Sequence, residues 1–392
     1  IHTREAFEVY LDRLTENGAF ALVVQEEPVL VRSFLTAVSV LRARGEGVRQ
    51  ACRHLVAAVI PEELRYFTPH RRILLFRKKA FTPEEGERVL QVIKNAGIHP
   101  VFVPYALENI PPFAPLASGA QGLEEFIAGY RFTPGYGIPS VPMNVAPRCD
   151  DQPFFLDLSL TLPEALRRLL WGTTVAVALA AGWLGVRRRR RGAPGGAAGG
   201  VAGAGYFTLL GAGFMLLEVP LIQQFVLFLE HPVRSMALVL FALLLGTAAG
   251  SRWSQRRPLF ALPGAVAAAA FSAALLALLY RGGLPKVFGA LLLQHLVVRE
   301  LVTFLLCLPL GFALGIPFPS GIRWTQRDDP GQVPWLWGIN GLASVLGSAL
   351  AMTLAWLWGF SAALLAGACC YLLTGALALA IDRAGAREAR QS

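Results

Sequence analysis

The chain has 392 residues, and its charge is divided unevenly between its two parts. Residues 1–160 hold 17 Lys+Arg and 18 Asp+Glu, whereas residues 161–392 hold 19 Lys+Arg against 8 Asp+Glu, with the basic residues between apolar segments as in a membrane protein. No basic stripe with interleaved aromatic residues indicates nucleic-acid binding, and the spacing of the five cysteines and six histidines predicts neither a disulfide framework nor a zinc site.

The first 160 residues predict a soluble domain of alternating helices and strands. Apolar residues recur with helical spacing in residues 5–14 and 29–44. The short apolar runs at residues 19–24 and 72–77 are typical of strands, and we expect the first of these to be buried.

The second half of this domain begins with a strong helix signal. Thr82, followed by Pro83 and two acids, predicts the start of a helix that reaches about Asn95. A short strand is expected at residues 101–103. Residues 104–152 are rich in Pro, Gly and aromatic residues and predict an irregular connection.

Four polar residues of the soluble part are weak candidates for a site. His54 and His70 have no partner at ligand spacing and are expected at the surface. Asp150 and Asp151 could form a paired-carboxylate or metal site, but adjacent residues of an extended chain point apart. We therefore expect these two acids to cap or anchor the segment before the membrane part.

The second part of the chain predicts a bundle of about seven membrane-spanning helices. About 20 apolar residues are needed to cross a hydrocarbon core of about 30 Å. The apolar segments are residues 169–186, 206–229, 236–250, 259–280, 296–316, 333–358 and 362–381. Residues 192–205 are rich in Gly and Ala, carry no charge and predict a flexible linker.

The basic segments predict an orientation in an inner (cytoplasmic) membrane. Residues 187–191, 252–257, 323–327 and 383–390 fall on one side, the cytoplasmic one, if all seven segments cross. The soluble domain would then lie outside, where a cytosolic cofactor does not reach it. Three explanations are open: the first segment does not cross fully, the loop charges do not report the true orientation, or the domain lies outside and is not a cofactor enzyme. We expect a cytoplasmic domain.

Four polar residues within the apolar segments are candidates for an intramembrane site: Glu218, Gln223, Glu300 and Asn340. A charged Glu218 costs about 2.5–3.5 kcal/mol near the centre of a span. It is either a proton- or cation-handling group or a protonated acid bonded to a neighbouring helix. Gln223 lies on a different helix face. Glu300 and Arg299 lie near a span end, where extension toward the interface is the favoured interpretation.

Two further membrane features have a structural and a functional interpretation. Asn340, Ser344, Gly347, Ser348 and Ala351 share one helix face, which favours a tight helix–helix contact over a polar substrate path. Residues 311–321 contain three glycines and two prolines, which favours a helix end over a broken helix at a binding site.

Several short motifs, in this order, resemble those of spermidine synthase-like proteins in which a soluble domain is fused to multi-span membrane segments, as in some bacteria. In the soluble part they are Thr3-Arg4-Glu5-Ala6-Phe7 with Asn17-Gly18, Phe81-Thr82-Pro83-Glu84-Glu85 and Asp150-Asp151-Gln152-Pro153-Phe154-Phe155. In the membrane part they are Gly213-Phe214-Met215-Leu216-Leu217-Glu218, residues 315–321 and Trp337-Gly338-Ile339-Asn340-Gly341.

The resemblance implies an α/β fragment followed by an all-α polytopic membrane bundle. Residues 1–160 would be the C-terminal part of a Rossmann-like methyltransferase fold, truncated at its N-terminus, and residues 161–392 the membrane domain. The complete form would use S-adenosylmethionine or its decarboxylated derivative to transfer a methyl or aminopropyl group to a small acceptor.

The resemblance also implies that this chain lacks the chemistry of the family. The glycine-rich turn, the acid that holds the ribose and the catalytic aspartates precede the matched region, so no catalytic, cofactor-binding or metal site is expected here. The alternative is a transporter or membrane scaffold with a degenerate soluble domain. The bilayer is the expected partner, and the oligomeric state stays open.

Overall fold

The chain forms two compact units, Ile1–Pro163 and Glu164–Ser392. A computed structural model describes residues 2–61, 71–135, 138–190 and 201–391. Each unit is built around a hydrophobic core of its own.

In its described residues, the N-terminal unit combines short strands with six helices. Its strands are β1 (Ala19–Val24), β2 (Leu55–Val59), β3 (Arg72–Arg77), β4 (His99–Phe102), β5 (Arg131–Phe132) and β6 (Val141–Pro142). Its helices are α1 (Arg4–Arg13), α2 (Glu27–Ala43), α3 (Val48–Cys52), α4 (Pro83–Asn95), α5 (Ala114–Ala117) and α6 (Leu123–Gly129).

A four-stranded sheet with the order β1-β3-β2-β4 forms the centre of this unit. β1 and β2 both pair antiparallel with β3, so they run parallel to each other, and the chain between them passes through α2. β4 pairs antiparallel with β2 at the other edge, and β5 and β6 form a separate ribbon. An α/β crossover is therefore present within a small, otherwise antiparallel sheet.

The helix predicted from Thr82 is α4, and its end at Asn95 is confirmed. The Thr82 hydroxyl accepts a hydrogen bond from the Glu85 backbone N–H, and the Glu85 carboxylate accepts one from that of Thr82, which forms a capping box. The Glu85 carboxylate also lies 2.9 Å from the Arg77 guanidinium. The hydrogen bonds from the Thr82 backbone and from Arg77 lower the pKa of Glu85.

Three predictions for the soluble part need correction. The strand at residues 19–24 is confirmed, but it is an edge strand with one face exposed and is not buried. The strand β2 was not predicted, because its run of five apolar residues follows a short helix without a clear turn signal. Residues 104–152 are not wholly irregular, since they include α5, α6 and the β5–β6 ribbon.

The second unit consists of long helices. They are α7 (Glu164–Arg190), α8 (Val201–Leu229), α9 (Pro232–Gln255), α10 (Leu262–Leu291), α11 (Leu296–Leu314), α12 (Pro317–Asp328), α13 (Val333–Trp358) and α14 (Phe360–Gln391). In the described part of the chain, six segments are long and apolar enough to cross a membrane: Ala202–Leu229, Pro232–Gln255, Leu262–Leu291, Leu296–Arg327, Pro330–Trp358 and Phe360–Ala380. The protein is therefore a multi-pass membrane protein.

The first predicted span is a helix, α7, but its crossing stays a prediction. Some residues of α7 beyond position 180 lie outside those whose side chains the structure describes. α7 packs against α13, where Trp183 and Trp335 have ring centroids 6.5 Å apart. Most of the linker predicted at residues 192–205 also lies outside the described residues. Residues 201–205 belong to α8, so the prediction of a linker was wrong for these five residues.

Glycines bring the membrane helices close together. Gly246 and Gly250 of α9 face Gly311 and Gly315 of α11, four residues apart on each helix. A Cβ atom added at any of these four positions would lie 2.1–2.5 Å from a backbone carbonyl oxygen of the other helix. This double small-residue motif allows contact between the helix backbones, as is common in membranes.

Candidate functional site

The basic segments at residues 252–257 and 323–327 meet at one end of the bundle. Arg323 of α12 donates hydrogen bonds to the carbonyl oxygens of Ser254 and Arg257 at the end of α9. The start of α8 lies at the same end, because the Tyr206 hydroxyl donates to the carbonyl of Pro317, 2.7 Å away. We call this the basic end of the bundle.

A pocket of about 850 Å³ lies between the membrane helices at this end. Its volume is within the range of pockets that hold small-molecule ligands. Six helices contribute to its wall. The lining residues are Leu210, Gly211, Phe214, Leu244, Thr247, Ala248, Ser251, Gln255, Leu314, Gly315, Phe318, Pro319, Ile322, Arg323, Gln326, Trp337, Asn340, Ser344 and Tyr371.

Among its described residues, the wall of the pocket is mainly apolar and has one charged side chain. Arg323 is that side chain, and none of the described lining residues is Asp or Glu. Its Nη1 atom donates to Ser254 over 2.9 Å and to Arg257 over 3.1 Å. No described residue accepts a hydrogen bond from its Nε or Nη2 atom. The guanidinium is thus held in place and keeps donors for a further acceptor.

The break between α11 and α12 shapes one side of this pocket. α11 ends at Leu314, and α12 restarts at Pro317 and continues for 12 residues. Leu314, Gly315, Phe318 and Pro319 all line the pocket. The favoured prediction of a helix end is confirmed for α11, but the chain around this end also forms part of the cavity wall.

Asn340 and Ser344 belong both to a helix contact and to the pocket. The Asn340 Nδ2 atom donates to the carbonyl oxygen of Phe207 over 3.1 Å, which joins α13 to α8. On the same face of α13, Gly347 lies so close to Ala212 that an added Cβ would be 2.8 Å from its Cα. The predicted small-residue contact is therefore confirmed at these positions, while Asn340 and Ser344 also present polar atoms to the pocket.

The pocket extends from the basic end toward the middle of the bundle. On α9 its lining runs from Gln255 back to Leu244, about 16 Å at roughly 1.5 Å per residue. Leu244 and Trp337, on different helices of the wall, are 60% and 59% exposed.

The other candidates are not part of this pocket. Glu218 follows the lining residue Phe214 by one helical turn, is only 8% exposed, and has no hydrogen-bond or ion-pair partner among the described residues. Gln223 is exposed on α8, whereas the neighbouring Gln224 is buried. The structure does not bring Glu218 and Gln223 together with Asn340.

Glu300 lies at the opposite end of the bundle within a charged cluster. Its carboxylate is 3.4 Å from the Arg234 guanidinium of α9. Arg299 donates over 2.8 Å both to the carbonyl of Phe228 at the end of α8 and to the carboxylate of Glu230. Arg234 pairs with Glu300, and Arg299 pairs with Glu230. The Glu230 carboxylate therefore stabilises the buried Arg299 without a bound ligand.

The polar candidates of the N-terminal unit have structural partners. His54 is buried, not at the surface as expected: its Nδ1 lies 3.1 Å from the Arg77 carbonyl and its Nε2 3.1 Å from the Glu46 carboxylate. His70 lies outside the described residues. Asp150 anchors its segment as predicted, since its carboxylate accepts from the Thr3 hydroxyl and its backbone N–H donates to Glu5.

Metal binding has no support in the described part of the chain, where no cluster of three or more His, Cys, Asp or Glu side chains could hold an ion. Comparisons with protein-family models, with curated proteins and with solved structures find no match for the chain.

Proposed function

We propose that the membrane unit is the functional half of this chain and that it works as a carrier that binds a small molecule in the pocket at its basic end. The observation that supports this most is the pocket itself. A cavity of about 850 Å³ with an apolar wall, one arginine and several amide and hydroxyl groups has the composition of a ligand site.

The position of the pocket also supports a carrier. Its lining runs from the basic end toward the middle of the bundle, as expected of one state of an alternating-access protein. The α11–α12 break lies in its wall, and broken helices are where transporters place substrate contacts. A scaffold would need neither feature.

The test uses the full chain in lipid nanodiscs with three photoactivatable C16 probes that carry a carboxylate, a hydroxyl or a trimethylammonium head group. We expect at least one probe to label pocket residues saturably. Ala248→Trp fills the pocket and should abolish that labelling, because Ala248 lines it. Ala249→Trp is the matched control, since Ala249 is also exposed on the same helix but is not among the lining residues of the pocket.

Labelling that is not saturable with any probe, or that survives Ala248→Trp unchanged, would refute ligand binding in the pocket. An equal loss of labelling in both tryptophan variants would also count against it, because the effect would then not come from filling the cavity.

A second candidate function concerns the N-terminal unit. The strands β1 and β2 run parallel and are connected through α2, which is the kind of crossover expected in a Rossmann-like fold. This arrangement favours the transferase implied by the sequence resemblance. In that proposal the complete protein transfers a methyl or aminopropyl group from an S-adenosylmethionine-type donor to a small acceptor.

Calorimetric titration with S-adenosylmethionine and with its decarboxylated form tests the transferase proposal. It predicts heat of binding for one of the two donors with the full-length protein. The absence of heat at millimolar concentrations of both would contradict it and leave the carrier function unaffected.

A further inference from the structure

We infer that the pocket accepts an anionic amphiphile that enters from the bilayer leaflet at the basic end; this inference rests on the proposed binding function. The head group would contact Arg323, and the apolar body would lie along the wall toward Phe214 and Ser344. Carboxylate and phosphate head groups share the required chemistry.

The sign of the charge is the first argument. Arg323 is the charged residue among the described lining residues, which include no carboxylate. The surrounding loops add Arg252, Arg256 and Arg257 at the same end of the bundle. A cationic ligand such as a polyamine would find no counter-charge here, whereas an anion is attracted.

The geometry of Arg323 is the second argument. Its two hydrogen bonds to the carbonyls of Ser254 and Arg257 already cap the end of α9 and use only Nη1. Nε and Nη2 keep their N–H groups for another acceptor, and they lie on a side chain that lines the pocket. A guanidinium fixed in this way binds a carboxylate or phosphate without losing much further side-chain freedom.

Three polar residues beyond Arg323 lie near the mouth of the pocket. Ser251 and Gln255 of α9 and Gln326 of α12 lie at the basic end, within reach of a head group. On α9 the lining then becomes apolar toward Leu244, while Asn340 and Ser344 add polar atoms on the α13 side. The change from polar to apolar along about 16 Å of α9 matches a molecule with one polar and one apolar end.

A lateral opening of the pocket, inferred from two exposed apolar lining residues, is the third argument. Leu244 and Trp337 line the pocket and are both more than half exposed. A ligand with an apolar body partitions into the bilayer and reaches the pocket through this opening without crossing water. A small hydrophilic anion would gain nothing from such an opening or from the apolar wall.

The experiment compares the three C16 probes described above, with a fourth that carries a phosphate monoester. We expect the carboxylate or the phosphate probe to label the pocket at the lowest concentration. Arg323→Gln should raise the half-saturating concentration of that probe about tenfold or more, because a charge-assisted hydrogen bond is lost, and should not raise that of the trimethylammonium probe, which loses a repulsive charge. Arg327→Gln, one turn further along α12 and outside the pocket, is the matched control.

Arg323→Lys keeps the charge and should retain most of the affinity lost in Arg323→Gln, which separates a charge effect from damage to the end of α9. Preference for the carboxylate probe indicates a fatty-acid-like ligand, and preference for the phosphate probe a phospholipid-like one; both support the inference. Equal or stronger labelling by the trimethylammonium or hydroxyl probe would overturn it while leaving the proposed binding function intact. Failure of all four probes would refute the binding function itself.

Discussion

Arg323 combines a structural and a functional role at the scale of single residues. Arginine side chains near helix C-termini commonly bond to the last carbonyls, and Arg323 does this for α9. A capping role does not explain why Arg323 lies in the wall of a pocket whose described lining has no carboxylate. The same guanidinium can stabilise the α9–α12 contact and bind an anion, because the two tasks use different N–H groups.

Glu218 is the residue whose role depends most on its protonation. It is buried in α8 near the deep part of the pocket and has no partner among the described residues. An unpaired carboxylate at this depth is costly, so we expect it to be protonated while the pocket is in this state. A proton-coupled carrier would use such a group.

Cys52 provides a residue-scale prediction for the N-terminal unit. Burial, together with the nearby Glu108, raises the pKa of its thiol to about 12, and only 1% of the residue is exposed. Since the thiolate is the reactive form, we expect no alkylation by iodoacetamide at pH 8 in the folded protein and rapid alkylation in urea. Mass spectrometry of the tryptic peptide measures both. Equal rates in the two conditions would show that the core around α3 is not packed as described.

At the scale of elements, the contact between α9 and α11 is the part of the bundle most sensitive to side-chain size. The added Cβ of Gly250 would lie 2.1 Å from the Phe312 carbonyl oxygen, and that of Gly315 2.2 Å from the carbonyl oxygen of Thr247. Backbone atoms cannot move aside as a flexible side chain can, so the two helices would have to separate. Thr247 and Gly315 also line the pocket, which couples this contact to the shape of the site.

Gly250→Ala is therefore expected to lower the thermal stability of the detergent-solubilised protein. The matched control is Gly282→Ala in α10, where an added Cβ meets nothing within 4 Å. There the loss of glycine's conformational freedom should leave stability unchanged or raise it by up to about 1 kcal/mol. Size-exclusion chromatography after heating gives both midpoints. If Gly250→Ala were as stable as Gly282→Ala, the close α9–α11 contact would be refuted.

At the scale of the whole molecule, the membrane unit separates its charges by end. The basic end carries Arg256 and Arg323, whereas the other end pairs Arg234 with Glu300 and Arg299 with Glu230. By the positive-inside rule the basic end is expected to face the cytoplasm. The pocket would then open toward the cytoplasmic leaflet.

How much the sequence reveals differs between the two units. The helix at Thr82 and the strand at residues 72–77 could be predicted to the residue, because capping and apolar runs are local signals. The exposure of the strand at residues 19–24 depends on its place at a sheet edge, which no local pattern contains. The membrane helices were located from hydropathy, but α8, α9, α10 and α14 extend beyond the predicted apolar segments.

The site itself was only partly predictable. Asn340 was found because a polar residue in an apolar span is conspicuous, but Arg323 was assigned to the loop charges of a membrane protein. Only the packing of α12 against α9 places that arginine in a pocket wall. A signal was present in the sequence, since Arg323 follows the Pro317 restart at helical spacing with Pro319 and Gln326.

The central claim is that the pocket at the basic end holds an anionic amphiphile. The most direct test is a density map of the full chain in lipid nanodiscs that are saturated with a C16 carboxylate. The account predicts an elongated density that begins next to the Arg323 guanidinium, follows α9 from Gln255 to Leu244 and disappears in Ala248→Trp. An empty pocket in the presence of the saturating ligand, or α9 and α13 packed together so that no pocket remains, would contradict it.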